Sequence, residues 1–207
     1  MKTSKIDALR VKRFWDWFSK YCQSFGAEFD NVELLEKLDD WVTQLGSYSW
    51  EVGPGKIKTN ALVISPGGDE DLLQDTKMII DNAQLCEGWE YYYAKPPKEK
   101  EWNLIFSYET NEEEVIEIDA SHWEYTLLKY EDGMFEIIIK APDLQQLNDS
   151  DKQIAAEILL DGLLGEEIRM QAICEIDIVA EFEKAYENKA GNIKNLSNHI
   201  RSLSEKY

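Results

Sequence analysis

The sequence predicts an α/β protein of the α+β kind. A mixed, largely antiparallel sheet carries helices on one face, as two ββαβ units in pseudo-repeat, with an N-terminal helical hairpin and a C-terminal helix. Three observations point there. Apolar residues recur at spacings of three and four near both ends of the chain. Between the ends the period drops to two, in short runs punctuated by Gly, Pro and Asp. And the order strand–strand–helix–strand occurs twice, at 48–97 and at 123–182.

The helical hairpin spans 1–46. Phe14, Trp17, Phe18, Tyr21 and Phe25 form an aromatic stripe that Gly26 ends, and Asn31 caps a second helix. That helix buries Leu34, Leu35, Leu38, Trp41, Val42 and Leu45 before Gly46 stops it. In the first ββαβ unit, 47–97, "SYSWEV" and "NALVIS" flank the turn "GPGKIKT". A helix over 69–83 turns Leu72, Leu73, Thr76, Ile79, Ile80 and Ala83 inward, and "GWEYYYA" halts at Pro96 and Pro97. A connecting hairpin, 98–122, joins "WNLIFSYE" to "VIEIDAS" through "TNEE".

The second unit, 123–182, pairs "WEYTLLKY" with "MFEIIIKA" around Glu131-Asp132-Gly133. A helix over 150–164 follows, with Ile154, Ile158, Leu159 and Leu163 inward and Gly165 at its end, then the alternating strand "CEIDIVAEF". The segment 183–207 closes with a helix that lines up Ile193, Leu196, Ile200 and Leu203. No Ser/Gly-rich or Pro-rich tract separates the halves, so 1–207 reads as a single domain.

The turn "SPGGDED" poses a chemical question, because glycines before a helix can cradle a phosphate. Here Asp69, Glu70 and Asp71 enter the helix, which favours its dipole and repels an anion. Neither GxxxxGK[ST] nor GxGxxG is present, and "KAPDLQQLNDSD" fills the same place in the second unit without a glycine pair. The reading is a capped strand-to-helix turn.

Charge excludes whole classes of partner. With 41 Asp and Glu against 22 Lys and Arg, the formal net charge is −19, which repels nucleic acid and anionic lipid. Hydrophobic residues at 43% are too many for a disordered acidic chain. The N-terminus lacks the apolar core of a secretory leader, and runs such as 137–139 are too short for a bilayer, so a cytoplasmic protein is expected. Cys22, Cys86 and Cys174 match no metal spacing and are expected as reduced thiols, Cys22 and Cys174 inward and Cys86 in a loop beside Glu87.

Catalytic signatures are thin. His122 in "DASHWEYT" lies next to Ser121 and near Asp119, but strand alternation would point Ser121 and His122 to opposite faces, and triads are assembled from distant segments. His199 reads as a solvated position on the last helix. Glu112, Glu113, Glu114, Glu117 and Asp119 cluster in one stretch, and Asp143, Asn148, Asp149 and Asp151 in another, without the spacing of a calcium loop. No catalytic residue, metal ligand or cofactor is therefore assigned.

The alternation on three strands is more telling. Glu117 and Asp119, Glu136, and Glu175, Asp177 and Glu181 each oppose apolar neighbours, so one sheet carrying all three strands would show an acidic solvent face.

"FWDWF", "ALVISPGG", "GWEYYYAKPP" and "LLDGLLGEE", in that order, resemble a family of uncharacterised bacterial proteins. The resemblance implies no activity and transfers no catalytic residue. In fold and charge the chain is also similar to bacterial immunity proteins, small acidic α/β proteins that neutralise secreted toxins.

The expected function is non-enzymatic protein binding, immunity- or inhibitor-like, with a basic protein docking on Glu117, Asp119, Glu136, Glu175, Asp177 and Glu181. The alternative is a metal-assisted hydrolase with a carboxylate-lined pocket. The state is expected to be monomer or homodimer, the dimer seam being the last helix.

Overall fold

The computed structural model describes residues 6–26, 28–110 and 114–204. The fold is α+β. Within the first 95 residues, α1 (Ala8–Tyr21) and α2 (Val32–Leu45) precede β1 (Ser49–Pro54), β2 (Asn60–Ser65), α3 (Leu73–Asp81) and β3 (Trp89–Tyr92). Next come β4 (Ile105–Glu109), β5 (Val115–Asp119), β6 (Glu124–Lys129), β7 (Phe135–Lys140), α4 (Asp149–Leu164), α5 (Glu166–Ala172), β8 (Ile173–Val179), α6 (Lys184–Glu187), β9 (Gly191–Asn192) and α7 (Leu196–Ser204).

The chain gathers into two compact units, 1–95 and 96–207. The division falls where Pro96 and Pro97 follow β3, not at a flexible tract. Among the described residues the strands form three sheets and not one: β1-β2-β3, β4-β5 and β8-β7-β6-β9. The two ββαβ units nevertheless share a path. β1 is antiparallel to β2 and β2 parallel to β3, just as β6 is antiparallel to β7 and β7 parallel to β8. In each, a helical crossover joins the parallel pair.

In the first unit the core lies between the helices and one sheet face: Phe14, Trp15 and Phe18 of α1, Leu38 and Val42 of α2, and Ile79 of α3 meet Leu62, Ile64 and Trp89. Asp7 and Asn31 cap α1 and α2 as side-chain acceptors. The turn after β2 holds Gly67 and Gly68 at φ of 62° and 86°, and the Asp69 carboxylate accepts from Asp71 N–H at 3.0 Å. It is a capped strand-to-helix turn, and a short 3-10 turn, Glu70–Leu72, leads into α3.

In the second unit Tyr125, Phe135, Ile137 and Ile139 lie under Ala155, Ala156, Leu159 and Leu160 of α4. The β4–β5 hairpin adds Tyr108 and Ile118 to the same core, and Ile193, Leu196 and Ile200 close it. The last helix thus spends its stripe on its own unit and offers no bare seam. The turn expected at 110–113 has residues 111–113 outside the described ones, as do 205–207 of the last helix.

Two expectations about cysteine fail. Cys22 and Cys86 form a disulfide, with Cα atoms 6.7 Å apart, and both are buried. Their separation of 64 residues hid the pairing, because the fold alone brings the end of α1 beside the α3–β3 loop. Cys174 is exposed, not inward. A β-bulge lets Ile173 pair with Phe135 and Glu175 with Glu136, so Cys174 is the extra residue and the alternation changes phase there.

Candidate functional site

The acidic positions are set by strand register. On β7 and β8, Glu136 lies directly beside Glu175, and Asp177 beside Ile138. These side chains stand on the face opposite Ile137, Ile139 and Ile176, which pack into the core. β8 is an edge strand, so Glu175 and Asp177 are exposed, while Glu136 is half-buried. Like charges on neighbouring strands are unfavourable. Among the described residues neither Glu175 nor Asp177 takes a Lys or Arg partner.

The Tyr130 hydroxyl donates to Glu136. That bond, with partial desolvation and the charges of Glu136, Glu175 and Cys174, pushes the phenol up to about 12. Tyr130 therefore stays a neutral donor at neutral pH, an aromatic ring among carboxylates. At the far end of β7 the balance reverses. Lys140 pairs with Glu124 and reaches Glu181 at 4.0 Å, and the bond to Glu124 raises the lysine's pKa. Glu181, beyond the end of β8, thus has a cation within reach, which Glu136, Glu175 and Asp177 lack among the described residues.

Glu117 and Asp119 are placed elsewhere. They are exposed on β5, in the separate two-stranded sheet, so the six sequence-predicted positions do not form one sheet face. Asp119 ends its strand as a cap. Its carboxyl is held below the usual range first by the Ser121 side chain and then by the Ser121 N–H, bonded at 2.9 Å.

Ser121 and His122 lie in a 3-10 turn, Ala120–His122, and not on opposite faces of a strand, because the Asp119 cap bends the chain out of β5. His122 Nε2 is 3.5 Å from Asp143 Oδ1, which also accepts from the indole of buried Trp123 at 2.9 Å. The histidine is an outer partner of a structural carboxylate. His199 is exposed as expected, with Nδ1 2.8 Å from the Tyr125 hydroxyl.

Among the described residues no group of three or more His, Cys, Asp or Glu side chains is placed to hold a metal. Glu112 and Glu113 lie outside the described residues. No helix among the described residues is long and apolar enough to cross a membrane.

Sequence reading missed one built feature. The Glu90 carboxylate on β3 receives the consecutive backbone N–H groups of Lys56, Ile57 and Lys58, the last two at 3.0 Å each, and the Tyr92 hydroxyl at 2.8 Å. Burial works to raise the Glu90 pKa, but these four bonds outweigh it and leave the carboxyl below its ordinary range. "GPGKIKT" signalled a turn, yet nothing local to it signalled a glutamate more than thirty residues away.

No protein-family model, curated protein or solved structure matches the chain, so the reading of the site rests on its own geometry.

Proposed function

We propose that this chain is a non-enzymatic protein-binding module, immunity- or inhibitor-like, that receives a basic partner on the acidic face of β7 and β8. One observation carries the reading. Glu136, Glu175 and Asp177 occupy adjacent positions on two paired strands, and Glu175 and Asp177 remain without a cationic partner among the described residues. A basic surface would relieve this repulsion while Tyr130 supplies contact area. Glu181 extends the surface; Glu117 and Asp119, on their own hairpin, form a second acidic patch.

The test is an affinity capture from native lysate at low salt, comparing the intact chain with a Glu136→Lys, Glu175→Lys, Asp177→Lys variant. A stoichiometric basic protein, held by the first and lost by the second, supports the reading. Its release should steepen as salt rises. Equal capture by both chains removes the face from the function.

A further inference from the structure

Among the described strands β8 pairs with β7 alone, so the other side of its seven residues has no strand beside it. One bond fixes which backbone groups line that side. Val179 C=O accepts from Ala141 N–H at 2.9 Å. Backbone direction alternates along a strand, so Val179 and Asp177 turn their N–H and C=O groups to β7. Ile176 and Ile178 turn theirs to the free edge. Such a row is a template for another strand. Ile173–Val179 contains neither lysine nor proline, the usual guards of an edge, and its exposed charges are Glu175 and Asp177.

The rest of the acidic face is closed. Asp177 lies beside Ile138 and Ile138 beside Thr126, and these two neighbours are only 7% and 1% exposed. Glu136 is half-buried. A partner therefore reaches the carboxylates along the β8 edge and not by lying flat across the sheet. The same carboxylates turn away a second β8, which would set like charges against each other.

We propose that β8 takes an extended segment of a basic protein as a fifth strand of its sheet, antiparallel to itself. The proposal rests on the reading of the acidic face as a docking surface, and it names the form of the partner. The segment alternates cationic and aliphatic residues. Cations two residues apart, a spacing of about 7 Å, meet Glu175 and Asp177 on the outer face. Aliphatic residues between them extend half-buried Ile176 and Ile178 on the core face. Main-chain bonds supply affinity and the alternation supplies specificity. In antiparallel pairing directly opposed residues exchange their bonds, so the aliphatic residues opposite Ile176 and Ile178 carry the ladder.

The probe is a capped, fluorescent heptapeptide that alternates Lys and Val, titrated at low salt against the full chain by anisotropy. It binds, and hydrogen exchange at the Ile176 and Ile178 amides slows. N-methylation of its valines removes the ladder donors and weakens binding roughly tenfold, whereas N-methylation of its lysines leaves binding intact. Glu175→Lys/Asp177→Lys also loses the peptide.

A peptide that never binds overturns the proposal, as does a valine-methylated peptide that binds like the unmodified one. If the charge variant still releases that methylated peptide, strand addition falls and the acidic-face reading stands. A charge variant with undiminished affinity overturns the pairing with Glu175 and Asp177 and takes the acidic-face reading with it. The methylated peptides are tested on the wild-type chain, so a misfolded variant cannot mimic their result.

Discussion

The units 1–95 and 96–207 lay their strands along the same path and fill the space above them with different chemistry. In the first, the crossover helix α3 has only nine residues, and upstream helices supply most of the layer. Large rings make up the volume, with Phe18 and Trp89 centroids 5.0 Å apart and Trp15 and Tyr91 4.9 Å apart. A buried indole N–H calls for an acceptor: Trp15 finds the Ile79 carbonyl at 2.7 Å and Trp89 the Cys22 carbonyl at 3.1 Å, while Trp41 Nε1 is covered with no acceptor among the described residues.

In the second unit, α4 has 16 residues and turns Ala155 and Ala156 toward the sheet, so aliphatic residues suffice at close approach. The first unit adds a covalent tie. The second adds buried charge, with Arg169 bonded to Asp161 and Glu166 fully covered. The strand path constrains where a helix goes and leaves open what it is made of.

Three perturbations would break or sharpen this contrast. The largest is removal of the tie. Closing a 64-residue separation is worth roughly 4 kcal/mol by chain entropy. Reductant should therefore lower hydrogen-exchange protection across 1–95 and leave 96–207 unchanged. A loss shared equally by both units would end their treatment as separate stability units.

Next is Arg169→Ala, which takes this cation away from half-buried Asp161 and should cost about 2 kcal/mol in urea denaturation. Replacing both partners, Asp161→Asn with Arg169→Met, should return toward the native value. If the double variant is the less stable, the pair contributes net stability and the contrast needs redrawing.

The smallest effect concerns Glu90. Its folded pKa lies below the ordinary 4.5, so its contribution is complete above that value and fades as pH falls through the lower folded pKa. Glu90→Gln should cost about 1 kcal/mol at pH 7 and converge with the wild type in acid. A difference that persists at pH 2 would assign the effect to packing instead.

Elements with a clean period were legible in the sequence. The Asn31 cap, the Gly46 and Gly165 stops and both ββαβ orders stand as read, because each is specified within a few residues. Trp15, at 0% exposure, escaped the helical stripe because α1 buries a wider arc than spacing from Phe14 implied. What depends on register was hidden. The bulge that turns Cys174 outward is a property of the β7–β8 pairing, and strand membership separates Glu117 and Asp119 from Glu136, Glu175 and Asp177. Adjacency of Glu136 and Glu175 likewise exists only once two strands are aligned. The Cys22–Cys86 link and the Glu90 clamp share that cause: both join positions distant in sequence.

The clamp has a further use. Glu90 grips the β1–β2 loop through the backbone N–H groups of residues 56, 57 and 58. A backbone grip leaves the loop shape tolerant of side-chain change at 57 and 58, with proline barred for want of a donor. Two consecutive positions can be rewritten on a fixed frame. This makes the loop a ready place to graft short recognition sequences or build a combinatorial library, with Gly55, where a Cβ would come within 2.5 Å of the Lys58 carbonyl, and Glu90 as the two letters to keep.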